Sequence, residues 1–454
     1  MDCVHIIQRR GRQRCTQGPR IRTHEITQHI VEFLSHTWSH ALTTPPEAHT
    51  SPVDWYEAPP TITGADHAPV PLYTPDFAAN PHGFYAEMRK VFGPLVPVEL
   101  SPGIPATLVI GYSTAVRISN DPVHFPADPR AWEKDVPSDC PVLPMLQYRP
   151  NALRSAGQAH ARFRKASVDS IDAIYLFNLL ADIEQIAIPV INAFCLEGEA
   201  DLISQYAFPV TFAYLNAMVG CPADIGQKVA RGMAMMFEGN DAGEGSALFA
   251  SALAELVNLK RLHPGDDVTT RLVNHPAELT DEELVHQLVT IYGAGIEPLT
   301  NLIANTLLLM LTDDRFSGVA ALTTRDALNE MLFKDPPLAN FGITYPPQPI
   351  HIDGTWLPAN QPVVTSMAAC NNDPAIVGEF TANNSHLAWG TGPHTCPAQN
   401  VAYPVAQHAI DQLFDTLPEI RLTCRADQLT WRPGPFHRSL ASLPVAFPPS
   451  PNLF

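Results

Sequence analysis

The chain has 454 residues and a formal net charge of −18, with 45 % hydrophobic and 16 % charged residues. This length and composition allow a large buried core, and the acidic charge argues against broad nucleic-acid binding. The 45 prolines predict many sharp helix ends and rigid connections. The eight cysteines, at positions 3, 15, 140, 195, 221, 370, 396 and 424, form no CxxC pair, which disfavours a disulfide framework and favours a reducing cytoplasm.

The first 65 residues are expected to form a disordered extension, with one helix near 25–40. Six arginines lie among residues 9 to 22 without the long apolar core of a secretory signal. An overextended translation start and an organelle presequence are both compatible with this composition. The chain contains no run of about 18 uninterrupted apolar residues, so we expect no membrane span.

The following region alternates helical patterns with one strand and a proline-rich loop. Asn80-Pro81 begins a predicted helix that ends near Val91, and 106–110 has strand composition. Prolines recur from Phe125 to Gly157, where 140–146 is predicted to be an apolar loop without regular structure. Helical patterns continue over 181–194, 207–218 and 246–262.

A basic helix follows the proline-rich loop. His160 and Arg164 are four residues apart, which places them on one face of a helix, either as a binding pair or as a solvated basic surface. Arg162 and Lys165 point to other sides of this helix. We expect those two cations to be accessible to an acidic partner protein.

A long helix is predicted from the capping box formed by Thr280 and Glu283 to about Leu311. Its middle reads Gly293-Ala294-Gly295-Ile296-Glu297-Pro298. A proline inside an ordinary helix costs about 3 kcal/mol, so this segment is either a functional distortion or a simple helix break with a solvated glutamate. Asn301 lies four residues after Glu297 and therefore shares its face.

The next helix and the strands after it contain few cations. A helix over 327–334 carries Glu330 and Phe333 and is stopped by two prolines, after which no Lys or Arg occurs between Asp335 and Glu419. The alternating segment 350–357 turns at Asp353-Gly354, which predicts a β-hairpin.

One cysteine lies in a glycine-rich loop directly before a helical pattern. The segment His386-Leu387-Ala388-Trp389-Gly390-Thr391-Gly392-Pro393-His394-Thr395-Cys396-Pro397 precedes a predicted helix over 398–413. The positive end of that helix favours a metal-binding thiolate. A zinc site is a weaker interpretation because His394 and Cys396 supply only two of the usual four ligands. A Cys/His hydrolase is also compatible with these residue types.

This loop resembles the Phe-Gly-x-Gly-x-His-x-Cys loop of the haem-thiolate cytochromes P-450, with Trp389 in place of the phenylalanine. The resemblance implies a mainly α fold with a smaller β-containing lobe, haem b between them, and a single oxidase domain over 66–454. Cys396 would be the axial iron ligand, and Trp389 would pack against its sulfur. The other residues that the resemblance assigns to the haem site are His160, Arg164, Ala294, Gly295, Gly390 and His394.

The implied activity is oxidation of a small organic substrate with O2 and electrons from a ferredoxin- or flavodoxin-type partner. Pro298 replaces the threonine that the family uses in proton delivery, so we predict that Glu297 and Asn301 provide the proton route. The family's Glu-x-x-Arg helix has Phe333 at the arginine position, and two later arginines are also absent. We therefore expect Glu330 to be protonated or hydrogen-bonded near Asn383, Asn384 or His386.

Two alternatives follow from these departures from the family. The loss of the threonine is compatible with a peroxide-driven or cross-linking oxidase. The loss of three arginines is compatible with a haem-binding regulatory protein without turnover.

Overall fold

The computed structural model describes residues 68–238, 242–317, 321–376 and 383–453. The extension over 1–65 and the helix predicted near 25–40 lie outside these residues. The described α-helices, numbered α1 to α14, are Pro75–Ala79, Pro81–Phe92, Tyr112–Ser119, Leu143–Leu146, Gly157–Asp172, Leu179–Asn192, Phe208–Met218, Ala223–Glu238, Ala242–Leu262, Val268–Val273, Asp281–Thr312, Thr324–Lys334, Met367–Asn371 and Gln399–Thr416. A π-helix over Ile203–Ala207 leads directly into α7.

Ten short strands form three small sheets. The strands β1 to β10 are Val70–Pro71, Leu95–Ser101, Ile104–Val109, Glu199–Asp201, Asn340–Thr344, Ile350–Ile352, Thr355–Leu357, Val363–Ser366, Arg421–Leu422 and Pro444–Ala446. The largest sheet has the order β1-β2-β3-β8-β5, with parallel pairing of β1 to β2 and of β3 to β8. Strands β4, β10 and β9 form an antiparallel sheet, and β6 and β7 form the predicted hairpin. The described part of the chain is therefore mainly α, as predicted.

Side-chain caps explain where several helices begin. Asn80 accepts a hydrogen bond from the Gly83 amide, and Pro81 occupies the first turn of α2, which confirms the predicted start. Helix α12 begins with a capping box between Thr323 and Asp326 that the sequence analysis missed. The prediction that 140–146 lacks regular structure was wrong at its end, because Leu143–Leu146 forms one helical turn.

Helix α11 is the longest helix described and passes through the middle of the core. It begins at the predicted capping box and continues across Pro298 to Thr312. Its first half packs with α7 and α9, where Tyr292 contacts Phe212 and Phe249. Its second half packs with α12 and α14 through residues such as Leu302. This helix therefore joins the two largest hydrophobic clusters.

By length and composition alone, α11 is the one described helix that could cross a membrane. In its most apolar 18-residue window, 56 % of the residues are buried inside the protein. The core helix of a folded domain has the same properties, and the contacts of α11 with α7, α9, α12 and α14 are those of such a helix.

Candidate active site

The cysteine loop is shaped by two glycines with left-handed backbone angles. Gly390 and Gly392 have φ angles of 71° and 74°. A Cβ atom at Gly392 would lie 2.1 Å from the carbonyl oxygen of Ser119 at the end of α3, so no side chain fits there. The Cys396 amide donates to the Trp389 carbonyl at 2.7 Å and closes the loop. These contacts fix the position of the cysteine before α14.

The sulfur of Cys396 receives two amide hydrogen bonds from the start of α14. The N–H groups of Ala398 and Gln399 donate to it, and the positive charge of Arg164 lies nearby. Burial nevertheless raises the pKa of the Cys396 thiol above its ordinary value. The predicted preference for a thiolate therefore requires a cation bound at the sulfur, which a metal ion supplies.

A cluster of basic side chains, the Arg164 cation and two imidazoles, lies against the loop, and we call His160, Arg164 and His394 the cation cluster. Arg164 donates to the Thr395 carbonyl, and the imidazoles of His160 and His394 have centroids 4.1 Å apart. The Nε2 atom of His160 is buried and has no hydrogen-bond partner in the described structure. Burial lowers the pKa of His160, and the charge of Arg164 lowers it further.

The cation cluster tests whether a haem fits this chain. No carboxylate of the described residues lies within ion-pair distance of its three members, although together they offer several N–H donors. A haem carries two propionate groups, and guanidinium and imidazole donors match carboxylate oxygens. The unpartnered His160 Nε2 is such a donor. The helix α5 thus brings the predicted His160 and Arg164 pair to the loop that holds Cys396, as a haem site requires.

The middle of α11 opens to free space on one side. Gly293 and Ala294 are exposed although Tyr292 and Ile296 are buried, and a Cβ atom at Gly293 would meet no atom within 4 Å. A flat group can therefore approach the helix closely at this point. A Cβ atom at Gly295 would instead lie 3.0 Å from Leu215 of α7, so this glycine allows close helix packing.

Trp389 packs against the hydrophobic cluster that contains the second half of α11. Its indole Nε1 atom is buried and has no partner in the described structure. The residues singled out for a haem are thus a half-buried cysteine, an aromatic side chain in the loop before it, the cation cluster and a helix face with small residues. This set of groups fits a haem with a cysteine ligand. The zinc alternative is disfavoured, since no group of three or more metal-binding side chains occurs among the described residues.

The predicted acid of α11 contacts a loop near the chain's C-terminus. The Glu297 carboxylate lies 3.4 Å from Arg432 Nη1 and 3.6 Å from His437 Nδ1. Arg432 is also 3.3 Å from the hydroxyl of Ser439, which donates to Asn301 Oδ1 at 2.8 Å. We call these five residues the relay network. The predicted pair of Glu297 and Asn301 is thus joined through Arg432 and Ser439.

The relay network contains buried polar atoms without partners. His437 Nε2 and Asn301 Nδ2 have none in the described structure. Burial lowers the pKa of His437, although the Glu297 carboxylate opposes this effect. The sequence analysis missed Arg432, His437 and Ser439 because they lie more than 130 residues after Glu297. The concentration of basic residues in Trp431-Arg432-Pro433-Gly434-Pro435-Phe436-His437-Arg438 was the available signal.

Glu330 is hydrogen-bonded, which is one of the two states predicted for it, but the prediction of its neighbours was wrong. This carboxylate is 8 % exposed and accepts hydrogen bonds from Arg315, at 2.8 Å, and from Lys334. Burial alone would raise the pKa of Glu330, but these two cations outweigh it and lower the pKa. The acid is therefore ionised and paired, and Asn383 and His386 are not among its recorded partners. Lys334 lies four residues after Glu330, a spacing that was visible in the sequence.

The cysteine loop is connected to α12 by an asparagine and an aromatic pair. The Asn371 side chain donates to the Leu332 carbonyl at 3.0 Å and accepts from the Leu387 amide at 2.7 Å. The ring of Phe333, which stands at the family's arginine position, meets the ring of His386 edge to face at 5.1 Å. We call the group of Arg315, Glu330, Phe333, Lys334, Asn371 and His386 the brace.

Several known proteins are similar to this chain over most of its length. No family model matches the chain. It is 28 % identical to the cytochrome P450 monooxygenase PikC of Streptomyces venezuelae over 388 residues, which cover 82 % of this chain and 92 % of that protein. It is 27 % identical to a vitamin D(3) 25-hydroxylase of Pseudonocardia autotrophica over 412 residues, or 86 % of this chain and 98 % of that protein.

The fold is similar to that of CYP154C4 from Streptomyces sp. ATCC 11861, with a TM-score of 0.76. That comparison covers 84 % of this chain and 99 % of the solved chain, at 24 % sequence identity. The curated relatives are bacterial cytochromes P450, and the similarity in sequence and in fold supports placing the chain in that superfamily. The chain is accordingly a haem b-dependent monooxygenase with the mainly α fold of that superfamily.

Proposed function

We propose that this cytochrome P450 oxidises a small apolar organic substrate in the cytoplasm, with O2 and with two electrons from a separate ferredoxin- or flavodoxin-type protein. The observation that carries the proposal is the half-buried Cys396, with amide donors at its sulfur and the cation cluster beside it. The six cysteines described are all free, which supports a reducing compartment.

When bound, the haem supplies the oxidising chemistry, in which one atom of O2 enters the substrate and the other leaves as water with two electrons and two protons. Cys396 would bind the iron, and the cation cluster would bind the propionates. Trp389 would cover the sulfur with its ring. Gly390 and Gly392 give the loop the curvature that this arrangement needs.

A reduced carbon monoxide difference spectrum tests the cysteine assignment. We expect the absorption band of a thiolate-ligated haem in the native protein and its complete loss in Cys396→Ala. Cys424→Ala is the matched control, since Cys424 is also a half-buried free cysteine but lies beyond α14. Loss of the band in the control, or its survival in Cys396→Ala, would contradict the assignment.

The relay network is proposed to carry protons to the site. Pro298 has no hydroxyl, so the proton must be held by another group on this face of α11. Glu297 is suited to this role because its contacts with Arg432 and His437, at 3.4 and 3.6 Å, are long and leave the carboxylate free to rotate. Asn301, whose Nδ2 is buried without a partner, would hold a water molecule beside it.

Coupling between electron consumption and product formation tests this route. Glu297→Gln keeps the shape of the side chain but cannot carry a proton, and we expect a loss of coupling of about 10-fold or more. Glu282→Gln is the control, because it makes the same change at an exposed position in the first turn of α11. Unchanged turnover and coupling in Glu297→Gln would rule out the proposed proton route.

Electron delivery is proposed to use a surface other than the one predicted from Arg162 and Lys165. Arg162 is paired with Glu283 and also donates to the Ala277 carbonyl. Lys165 is paired with Asp169 at 2.6 Å. Both cations therefore already have acidic partners within the chain, and a redox protein would have to displace them.

The alternative of an inert haem protein rested on the three absent arginines. Arg315 and Lys334 satisfy Glu330, so this feature does not indicate a decayed site. Oxygen consumption with a reductase, compared with peroxide alone, separates a monooxygenase from a peroxide-driven enzyme. A ligand screen read by the haem spin state would identify the substrate class.

A further inference from the structure

Arg154 is a buried cation without an acidic partner in the described part of the chain. It is 2 % exposed, and its Nε and Nη2 atoms both donate to one acceptor, the Met145 carbonyl, at 3.2 and 2.9 Å. A guanidinium has five N–H donors and stays charged inside proteins. Burying such a charge without an anion is unfavourable. The protein therefore holds in place a cation whose counter-ion is not supplied by the described residues.

The turn that carries Arg154 is rigid and lies against the cysteine loop. Asn151 Oδ1 accepts from the amides of Leu153 and Arg154, at 3.0 and 2.9 Å, and the hydroxyl of Ser155 donates to the Asn151 carbonyl. The backbone of Ala152, in the same turn, forms a hydrogen bond with His394. Arg154 is thus held close to the cation cluster.

Strand β5 lies on the other side of the guanidinium. The guanidinium carbon of Arg154 is 5.2 Å from the ring centre of Phe341, in the middle of β5. This strand follows α12, where the family usually has an arginine for a haem propionate, and here it contains no cation. The hydroxyl of Tyr345, directly after this strand, is buried without a partner in the described structure and lies near Arg154. The space between the turn and the strand therefore contains a polar group that an anion would satisfy.

We propose that Arg154 binds a haem propionate in place of the absent strand arginine, and that haem binding thereby fixes the segment 145–156. The inference rests on the haem of the proposed function. The anion is a carboxylate of the cofactor, and the loop before α5 supplies its cation. Because Met145 and Arg154 are joined by hydrogen bonds, an anion that holds the guanidinium also holds both ends of this segment.

Haem release measures the role of Arg154 without turnover. The holoenzyme is mixed with excess apomyoglobin, and the transfer of haem is followed by absorbance. We expect release from Arg154→Met to be about 10-fold faster or more, because a charged hydrogen bond to the propionate is lost. Arg149→Met is the matched control from the same loop, with an expected change of less than about 2-fold. Equal release from the native protein and Arg154→Met would overturn the proposal.

Haem dimethyl ester, whose propionates carry no charge, separates propionate binding from a purely structural role. The native protein should release the ester faster than haem. The quantity to compare is the release rate of the ester divided by the release rate of haem. In Arg154→Met this ratio should be smaller than in the native protein, by about the factor by which the substitution speeds the release of haem. An unchanged ratio means that Arg154 only supports the loop, and it would overturn the proposal.

Hydrogen exchange on the unmodified chain keeps the test valid where Arg154→Met fails to fold. Amides of 145–156 should gain protection when haem binds and gain clearly less when the ester binds. Equal protection with both cofactors would overturn the proposal. Failure of this proposal can be told apart from failure of the proposed function. A protein that binds haem through its propionates but shows no turnover would contradict the proposed function and would leave the role of Arg154 intact.

Discussion

The brace and the relay network are both built from polar side chains, but they differ in how completely these groups are satisfied. In the brace, the Glu330 carboxylate has two cations and the Asn371 amide has a donor and an acceptor. In the relay network, His437 Nε2 and Asn301 Nδ2 are buried without partners. A network in which every polar group has a partner fixes the structure, whereas a network with unpartnered groups can still bind water or a ligand. The two regions thus differ in how much room their polar groups leave for water or a ligand.

Removing the central residue of the brace should have the largest effect. Asn371→Ala leaves the buried Leu332 carbonyl and Leu387 amide without partners, and we expect a loss of about 2 to 4 kcal/mol in the free energy of unfolding. Haem release should also become faster, because Leu387 belongs to the cysteine loop. Urea unfolding and haem transfer measure the two effects.

The neighbouring Asn372 provides the control for this prediction. Its side chain donates to the carbonyls of Phe333, Lys334 and Ala368 but not to the cysteine loop. Asn372→Ala should therefore lower stability without changing haem release. If both variants release haem equally fast, the connection to the loop does not depend on Asn371.

Acid should weaken the brace through His386. Burial lowers the pKa of His386 to about 4, while the unfolded chain has an ordinary value near 6.5. The unfolded state therefore binds the proton more readily, and stability that is present above pH 6.5 is lost as the pH falls below it. Between pH 7 and pH 5 the free energy of unfolding should therefore fall by about 2 kcal/mol more in the native protein than in His386→Gln. Urea unfolding at the two pH values measures this, and equal losses would contradict it.

Neutralising the acid of the brace should have a smaller effect. Glu330→Gln removes the negative charge, but the half-exposed Arg315 and Lys334 are then solvated by water instead. We therefore expect the free energy of unfolding at pH 7 to fall by only about 1 to 2 kcal/mol. Because the pKa of Glu330 is lowered in the folded state, its contribution is present above pH 4.5 and lost below it. The difference between the two proteins should therefore disappear in acid, as measured by unfolding midpoints from pH 7 to pH 3.

The smallest effect is expected from restoring the family's hydroxyl in the relay network. If Glu297 carries the proton, Pro298→Thr should change coupling by less than about 10-fold. If the site instead lacks a proton-transfer group, restoring the hydroxyl should increase coupling by about 100-fold or more. Product formed per electron pair distinguishes these outcomes, and a gain of the larger size would show that the relay network is incomplete.

Local spacing made much of this arrangement predictable from the sequence. The cysteine loop, the pairing of His160 with Arg164 on one helix and the capping box of α11 depend on residues no more than seven positions apart. The partners of the acids were not predictable in this way. Arg432 and His437 reach Glu297 across about 135 residues, and Arg315 reaches Glu330 from the turn after α11. Those contacts depend on how helices pack, which periodicity does not encode.

Pro298 has a consequence for what the site can recognise. In a regular helix the amide of residue 298 would donate to the carbonyl of Ala294, but a proline has no such hydrogen. Ala294 lies on the open side of α11. Its carbonyl therefore keeps a lone pair available to whatever occupies that space. We expect a substrate with a hydroxyl or amine near this carbonyl to gain a hydrogen bond there that a plain hydrocarbon cannot form, so the proline would favour molecules that bring their own donor.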